Sequence, residues 1–152
     1  IDENSILIIR GCGPVGYPGS AEVVNMQPPD RLLKKGIIHL PTLGDGRQSG
    51  TSESPSILHV SPESAVGGDL GIVKTGDKMK IDLNKRRVDL LISQLEFKKR
   101  RKNKKLFKAN NQTPWQEIFR DTVGQLEDGA CINSRGNYLD ISNKKGLPRN
   151  SH

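Results

Sequence analysis

Met79-Lys-Ile-Asp-Leu-Asn-Lys-Arg-Arg-Val-Asp-Leu-Leu-Ile92 is the stretch that indicates the fold class most clearly. Its first five residues alternate apolar and polar side chains, which is the period of a half-buried β-strand. A second apolar run begins at Val88, after the polar connection Asn84-Lys-Arg-Arg87. Two short strand-like runs joined by a polar turn predict a β-hairpin, and therefore a domain that contains antiparallel strands.

The chain before this hairpin consists of short apolar runs separated by glycine and proline. The 152 residues include 16 Gly and 9 Pro, and most of these precede Asp77. This punctuation is typical of short strands joined by tight turns. The predicted strands are 6–9, 37–43 and 57–60. Residues 21–35 are compatible with a helix that Pro28-Pro29 must interrupt.

Helix signals lie between the strands and after residue 92. Ser61 is predicted to cap a short helix with Pro62 at its first position. Ser93 and Glu96 have the spacing of a capping box, and Thr113-Pro-Trp115 predicts a helix that ends near Gly124. The predicted organisation is a β-rich core over 1–92, a helical segment over 93–128 and an irregular tail over 129–152.

The positive charge of the chain is concentrated in one segment. The formal charge is +7, from 24 Lys and Arg against 17 Asp and Glu. Residues 98–108 hold eight basic residues and no acidic one, so the rest of the chain has a net charge of −1. Basic runs can bind nucleic acid or act as import signals. This one has no interleaved aromatic platform, so we expect a solvated helix face and no nucleic-acid partner.

Several protein classes are excluded by composition. No apolar run approaches the roughly 20 residues that span a bilayer, and the N-terminus lacks the features of a signal peptide. We therefore expect a cytoplasmic protein without a membrane segment, and the start at Ile1 suggests a piece of a longer chain. Cys12 and Cys131 are too far apart in sequence for a zinc motif and are expected to be free thiols.

The first glycine-rich loop, residues 11–19, follows the first predicted strand. It contains Gly-x-Gly-x-x-Gly, but Pro14 and Pro18 obstruct the strand-to-helix passage that a dinucleotide fold requires. We interpret it as a rigid loop whose glycines let backbone approach a ligand. It leads to Glu22, a carboxylate suited to a hard cation such as Mg²⁺; a solvated Glu at a helix start is the alternative.

The second glycine-rich loop, residues 44–52, directly follows a predicted strand. Its small hydroxyl side chains, Ser49 among them, are well placed to approach a polyol or carboxylate substrate. Ser49 lacks the Gly-x-Ser-x-Gly context of a hydrolase, and His39, His59 and His152 give no paired-base pattern. From the residues alone, a turn-forming serine remains the alternative to a catalytic one.

Four ordered blocks carry a specific resemblance to a known family. They are Gly13-Pro-Val-Gly-Tyr-Pro-Gly-Ser-Ala-Glu22, Asp45-Gly-Arg-Gln-Ser-Gly50, His59-Val-Ser-Pro-Glu-Ser-Ala-Val-Gly-Gly68 and Asp82-Leu-Asn-Lys-Arg-Arg-Val-Asp-Leu90. Together they resemble the C-terminal domain of the dihydroxy-acid dehydratase and 6-phosphogluconate dehydratase family. The sequences of the two loops and of the C-terminal residues Gly146-Leu-Pro-Arg-Asn-Ser-His152 are most similar to those of the family branch that acts on sugar acids.

The resemblance implies a reaction and roles for individual residues. Members of the family remove water from a 2,3-dihydroxy acid to give a 2-keto-3-deoxy acid, and in this branch the substrate is an aldonate such as arabinonate or xylonate. Ser49 matches the proposed base for the C2 proton, and Glu22 matches the metal-ligating glutamate. Thr51 matches the position that helps hold the substrate, and the terminal residue His152 is expected to reach the substrate through the tail.

The resemblance also implies a fold and cofactors. The expected fold is mixed β/α, a β-barrel-like swivelling domain with flanking helices, docked on a larger N-terminal α/β domain that this chain lacks. Mg²⁺ and an iron–sulfur cluster, expected to be 2Fe-2S, are the implied cofactors. The cluster ligands belong to the missing domain. The chain alone is therefore expected to be inactive, and the full enzyme to be a homo-oligomer.

Three alternatives remain open at this stage. A branched-chain dihydroxy-acid dehydratase is one, although a substrate with alkyl groups would not use Thr51. An inactive fragment is the second, and a binding module that uses residues 98–108 is the third.

Overall fold

A computed structural model gives the arrangement of residues 1–18, 22–23, 27–48 and 55–132. These residues contain seven short strands, which we number in chain order: β1 (Leu7–Ile9), β2 (Glu22–Val23), β3 (Thr42–Gly44), β4 (Arg47–Gln48), β5 (Ser56–Ile57), β6 (Met79–Asp82) and β7 (Arg87–Leu90). The α-helices are α1 (Asp30–Leu33), α2 (Gln94–Lys102) and α3 (Pro114–Thr122). Short 3₁₀ helices span Ser64–Val66, Asp69–Ile72 and Leu126–Asp128.

A three-stranded parallel sheet carries the first half of the chain. Its order is β1-β3-β5, with Leu43 of the central strand beside Ile8 on one side and Ile57 on the other. A second, two-stranded parallel sheet pairs β2 with β4. Because all the pairs in these two sheets are parallel, the carboxyl ends of neighbouring strands meet at the same edge.

The predicted hairpin is confirmed. Strands β6 and β7 pair antiparallel, with Met79 opposite Leu90 and Asp82 opposite Arg87. The local alternation of side chains was sufficient to predict this pair, since Met79 and Leu90 pack against the Leu43 cluster while Lys80 and Arg87 are exposed.

Two helix starts also agree with their capping signals. The Ser93 hydroxyl accepts a hydrogen bond from the amide of Glu96 (3.2 Å), and the Thr113 hydroxyl accepts one from the amide of Gln116 (3.3 Å). Each satisfies one of the amides that a helix leaves unpaired at its first turn. None of the described helices has the length and apolar character needed to cross a bilayer.

Three small apolar clusters stabilise the described residues. Strand β1 separates two of them, since Leu7 packs with Leu32 and Leu40, while Ile8 packs on the opposite side against a cluster around Leu43. This is the alternation expected of a strand buried on both faces. The third cluster joins Val15, Ala65 and Val123, so the residues after α3 pack directly on the first glycine-rich loop.

Several predictions were wrong or only partly right. The described strands form three separate small sheets and no closed barrel, so the mixed α/β class is confirmed but the barrel is not. Residues 37–41 are not a strand, and within 57–60 only Ile57 is. Residues 21–35 are compatible with a helix, but Glu22–Val23 is a strand because it pairs with β4. Local propensity cannot predict such a pairing between distant residues. The tail from residue 133 lies outside the described residues.

The predicted helix at Ser61 starts later and is of a different kind. A 3₁₀ helix begins at Ser64, and Glu63 precedes it in an extended conformation. The Glu63 side chain is turned toward the first glycine-rich loop instead of the helix.

Candidate active site

Both glycine-rich loops begin at the carboxyl edge of the parallel sheet. The first loop follows β1, the second follows β3, and His59 and Val60 follow β5. Backbone hydrogen bonds join the three exits: Asp45 N to Ile9 O (3.3 Å), His59 N to Gly46 O (3.2 Å) and Val60 N to Gly44 O (3.0 Å). Ligand sites of open α/β sheets lie at this edge, which makes the two loops a candidate site.

The backbone brings two of the predicted segments together. In the β2–β4 sheet, Glu22 is in register with Arg47, and Val23 with Gln48. Ser49 follows Gln48 directly in the chain, so the strand that holds Glu22 runs beside the strand that leads to Ser49. Ser49, Thr51 and His152 themselves lie outside the described residues.

Asp45 is a fully buried carboxylate at the start of the second loop. Its Oδ1 accepts a hydrogen bond from the amide of Cys12 (3.0 Å), and its Oδ2 accepts one from the amide of Gly11 (3.0 Å). Oδ2 also accepts hydrogen bonds from the amide (3.0 Å) and the hydroxyl of Ser64. Asp45 therefore ties the first loop to the second loop and to the residues after β5.

Glu63 is a second fully buried carboxylate that binds the same loop. Its Oε1 accepts a hydrogen bond from the amide of Val15 (2.9 Å), and its Oε2 accepts one from the amide of Gly16 (2.8 Å). The side-chain amide of Gln125 also donates to Oε1 (2.9 Å). The loop passes so close that a Cβ atom at Gly13 would overlap this carboxylate, which explains the glycine there.

The two loops are in van der Waals contact near Cys12. A Cβ atom at Gly46 would lie only 2.7 Å from the Cβ of Cys12, so glycine is needed for this approach. Burial raises the pKa of the Cys12 thiol, and the charge of Asp45 raises it further. The thiol is therefore protonated and a weak nucleophile at neutral pH.

Arg120 of α3 binds the opposite side of the first loop. Its Nε donates to the carbonyl oxygen of Val15 (2.8 Å), and its Nη2 donates to those of Ala109 (2.6 Å) and Gly16 (3.5 Å). The amides of Val15 and Gly16 thus face a buried carboxylate while their carbonyl groups face a guanidinium.

The basic segment 98–108 is more than a solvated helix face. The Arg100 guanidinium is largely buried and donates to both carboxylate oxygens of Asp77 (2.5 and 3.0 Å) and to Glu96 (2.7 Å). These hydrogen bonds lower the pKa of Asp77 and that of Glu96, and raise the pKa of Arg100. Lys104 donates to the carbonyl oxygen of Gly67, and Arg10 stacks on the ring of Phe107 (4.2 Å to its centroid).

The described residues do not form a complete metal site. No group of three or more His, Cys, Asp or Glu side chains within them is arranged to hold an ion. Asp45 and Glu63 are occupied by amide and hydroxyl donors, so they are unsuited as ligands. A Mg²⁺ shell or an iron–sulfur cluster would need ligands from outside the described residues.

Sequence reasoning missed the residues that organise the loops. In the sequence, Asp45 and Glu63 stand out only as members of the blocks that carry the family resemblance, and Arg120 only as part of a predicted helix. The available signal is the position of each acid within three residues of the end of a predicted strand, between small or proline residues, where solvation is difficult.

Comparison with known proteins gives a consistent set of relatives. Residues 1–130 match the family model described as dihydroxy-acid/6-phosphogluconate dehydratase, C-terminal. The chain is 55% identical, over all 152 residues, to a D-xylonate dehydratase of Caulobacter vibrioides, and covers 25% of that protein.

Two further relatives act on different substrate types according to their names. An L-arabinonate dehydratase of Rhizobium leguminosarum is 50% identical over 100 residues, which are 66% of this chain and 17% of the relative. A dihydroxy-acid dehydratase of Thermodesulfovibrio yellowstonii is 39% identical over 133 residues, 87% of this chain and 24% of the relative. The chain therefore spans a quarter or less of the length of these relatives.

Proposed function

This chain belongs to the dihydroxy-acid/6-phosphogluconate dehydratase family, and we propose that it is the C-terminal part of a hydro-lyase that dehydrates a sugar acid. The substrate is an aldonate such as xylonate or arabinonate, and the product is the 2-keto-3-deoxy acid. The family resemblance predicted from the four sequence blocks is confirmed. The substrate class is supported by the 55% identity to a D-xylonate dehydratase along the whole chain.

The observation that carries the proposal is the pairing of β2 with β4. It sets Glu22 beside Arg47, in the strand that precedes Ser49, at the loop edge of the parallel sheet. We assign Ser49 as the base that takes the C2 proton and Glu22 as one Mg²⁺ ligand. A serine hydroxyl is a weak base, and a cation bound by Glu22 would lower the pKa of the hydroxyl and so favour its basic, deprotonated form.

Further parts of the proposal concern the rest of the enzyme. Thr51 and His152 are assigned to substrate hydroxyl or carboxylate groups. The remaining length of the protein supplies the other metal ligands and those of an iron–sulfur cluster, so the 152-residue chain alone is inactive. Mg²⁺, held by Glu22 and by ligands from the remaining length of the protein, would supply positive charge at the site. A cytoplasmic homo-oligomer follows from the same family resemblance.

The experiment is performed on the full-length protein with Ser49→Ala. We expect it to fold and bind its metal like the wild type while forming no 2-keto-3-deoxy acid. Near-normal turnover by this variant would remove Ser49 as the base. In a parallel titration, Glu22→Gln should need a higher Mg²⁺ concentration for half-maximal activity, and an unchanged titration would count against Glu22 as a ligand.

A branched-chain dihydroxy-acid dehydratase is the second candidate, supported by the 39% identity to such an enzyme. The two differ in substrate, so the full-length protein is offered D-xylonate and 2,3-dihydroxyisovalerate separately. A higher kcat/KM for the branched-chain acid would favour this alternative.

A further inference from the structure

The two buried carboxylates of Asp45 and Glu63 bind backbone amides and hydroxyl or amide side chains. Neither has a lysine or arginine among its hydrogen-bond partners in the described part of the chain. A buried charge is costly unless strong hydrogen bonds compensate it. In both cases these compensating hydrogen bonds include amides of the first glycine-rich loop, so both carboxylates hold that loop.

Together the carboxylates fix both ends of one short segment. Asp45 binds the amides of Gly11 and Cys12, and Glu63 binds those of Val15 and Gly16. Four amides of a six-residue segment thus point toward two carboxylates. A different backbone conformation would break one or more of these four hydrogen bonds, so the two carboxylates restrain the conformation of the segment.

Glu63 also belongs to a rigid support. Its own amide donates to the side-chain oxygen of Gln125 (3.1 Å), whose amide group returns a bond to Oε1 (2.9 Å). Arg120 holds the carbonyl oxygens of Val15 and Gly16 from the other side. The Val15–Gly16 backbone is consequently restrained at both its donor and its acceptor groups.

The restrained segment precedes Glu22, the residue assigned as a metal ligand. Five residues separate Gly16 from Glu22, and Glu22 is in register with Arg47 in the β2–β4 sheet. Asp45 lies two residues before Arg47 and four before Ser49. Because Gly16 and Glu22 are close in the chain, we expect a shift of the first loop to disturb the pairing of Glu22 with β4.

We propose that Glu63 is a positioning residue of the dehydration reaction: its carboxylate fixes the first glycine-rich loop and, through it, the pairing of Glu22 with β4, the strand that precedes Ser49 in the chain. The inference rests on the proposed function, because Glu22 and Ser49 take their roles from it. Glu63 itself acts through the loop amides and not on the substrate.

The test compares Glu63→Gln with Asp77→Asn in the full-length protein. Glutamine keeps the shape of Glu63 but turns an NH₂ group toward the amide of Val15 or Gly16, so one hydrogen bond becomes a repulsive contact. Asp77→Asn also perturbs a buried, hydrogen-bonded carboxylate, but the described partners of Asp77 are Arg100 and the amide of Lys74, which lie outside both loops. It is the matched control for a general loss of stability.

We expect Glu63→Gln to lower kcat on a sugar acid by about tenfold or more per folded enzyme, with a smaller change in KM, because displacement by about 1 Å can cost on the order of a hundredfold. Binding of Mn²⁺, used as a probe for Mg²⁺ and followed by the electron paramagnetic resonance of the free ion, should weaken as well. Asp77→Asn should leave both quantities near their wild-type values.

Each result decides a separate question. Equal kcat and equal Mn²⁺ binding in the two variants would overturn the positioning role and leave Glu63 as a purely structural residue. Absence of sugar-acid turnover in the wild type would reject the proposed function, while a selective loss of Mn²⁺ affinity in Glu63→Gln would still support the coupling to Glu22. If Glu63→Gln fails to fold, Gln125→Ala removes one support of Glu63 and should give the same selective loss to a smaller degree; no selective loss in Gln125→Ala would then overturn the proposal.

Discussion

Replacing Asp45 by asparagine should loosen the first glycine-rich loop without unfolding the domain. If the asparagine oxygen occupies the Oδ2 position, it keeps the bonds to Gly11 and Ser64 but presents an NH₂ group to the amide of Cys12. An unsatisfied buried donor costs about 1–3 kcal/mol. The retained bonds also weaken, because the acceptor is no longer charged, while the smaller desolvation of a neutral side chain offsets part of this loss.

The resulting loss of local stability is about 2–4 kcal/mol. Since about 1.4 kcal/mol corresponds to a factor of ten, amides of the loop should open on the order of 30- to 700-fold more often. Hydrogen–deuterium exchange of the full-length protein, read by mass spectrometry on peptides that cover residues 7–18, measures this directly.

A matched control uses the same substitution on the surface. Asp69 is about half exposed (49%) and forms an ion pair with Arg101 at 3.2 Å. Such pairs contribute about 0–1 kcal/mol, so Asp69→Asn should change exchange by no more than about fivefold. Exchange of peptides 7–18 at the wild-type rate in Asp45→Asn would refute the reasoning that this carboxylate holds the loop.

Three further predictions concern residues other than Asp45. Gly68→Ala should abolish soluble expression or the native fold, because a Cβ there would overlap the carbonyl group of Pro62; normal yield and normal circular dichroism would contradict it. The pKa of Asp77 is lowered from its ordinary value of 3.8, mainly by its hydrogen bonds to Arg100. Ionised Asp77 therefore stabilises the folded protein at pH values above 3.8, and this stabilisation is lost as the pH falls toward the lowered pKa. Pepsin digestion between about pH 2 and 5 should therefore show a smaller acid-dependent increase for Asp77→Asn than for the wild type, and parallel curves would contradict it. Cys12 should react with iodoacetamide at pH 7 more slowly in the native protein than in urea, because burial raises the pKa of its thiol; equal rates would contradict it.

Features that depend on neighbouring residues in sequence could be predicted. The β6–β7 hairpin follows from alternation, and the caps at Ser93 and Thr113 follow from the spacing of a hydroxyl and the next amides. In each case the partner groups are only a few residues apart in the chain. The physical cause is therefore visible in a short window of sequence.

Features that depend on distant pairing could not be predicted in the same way. Glu22–Val23 is a strand because of β4, which is 25 residues further along. Glu63 binds amides that precede it by nearly fifty residues. The local sequence predicts a helix that includes Glu63, but these distant partners place it before the helix. The roles of Ser49, Glu22, Thr51 and His152 came from the family resemblance, and they stay predictions.

The most direct measurement is the conversion of D-xylonate and L-arabinonate by the full-length enzyme supplied with Mg²⁺ under anaerobic conditions. Product is quantified as the 2-keto-3-deoxy acid, with 2,3-dihydroxyisovalerate as the competing substrate. The account predicts that a sugar acid is dehydrated with the highest kcat/KM and that Ser49→Ala gives no product. Turnover of the branched-chain acid alone, or of none of the three by a folded, metal-loaded enzyme, would contradict it.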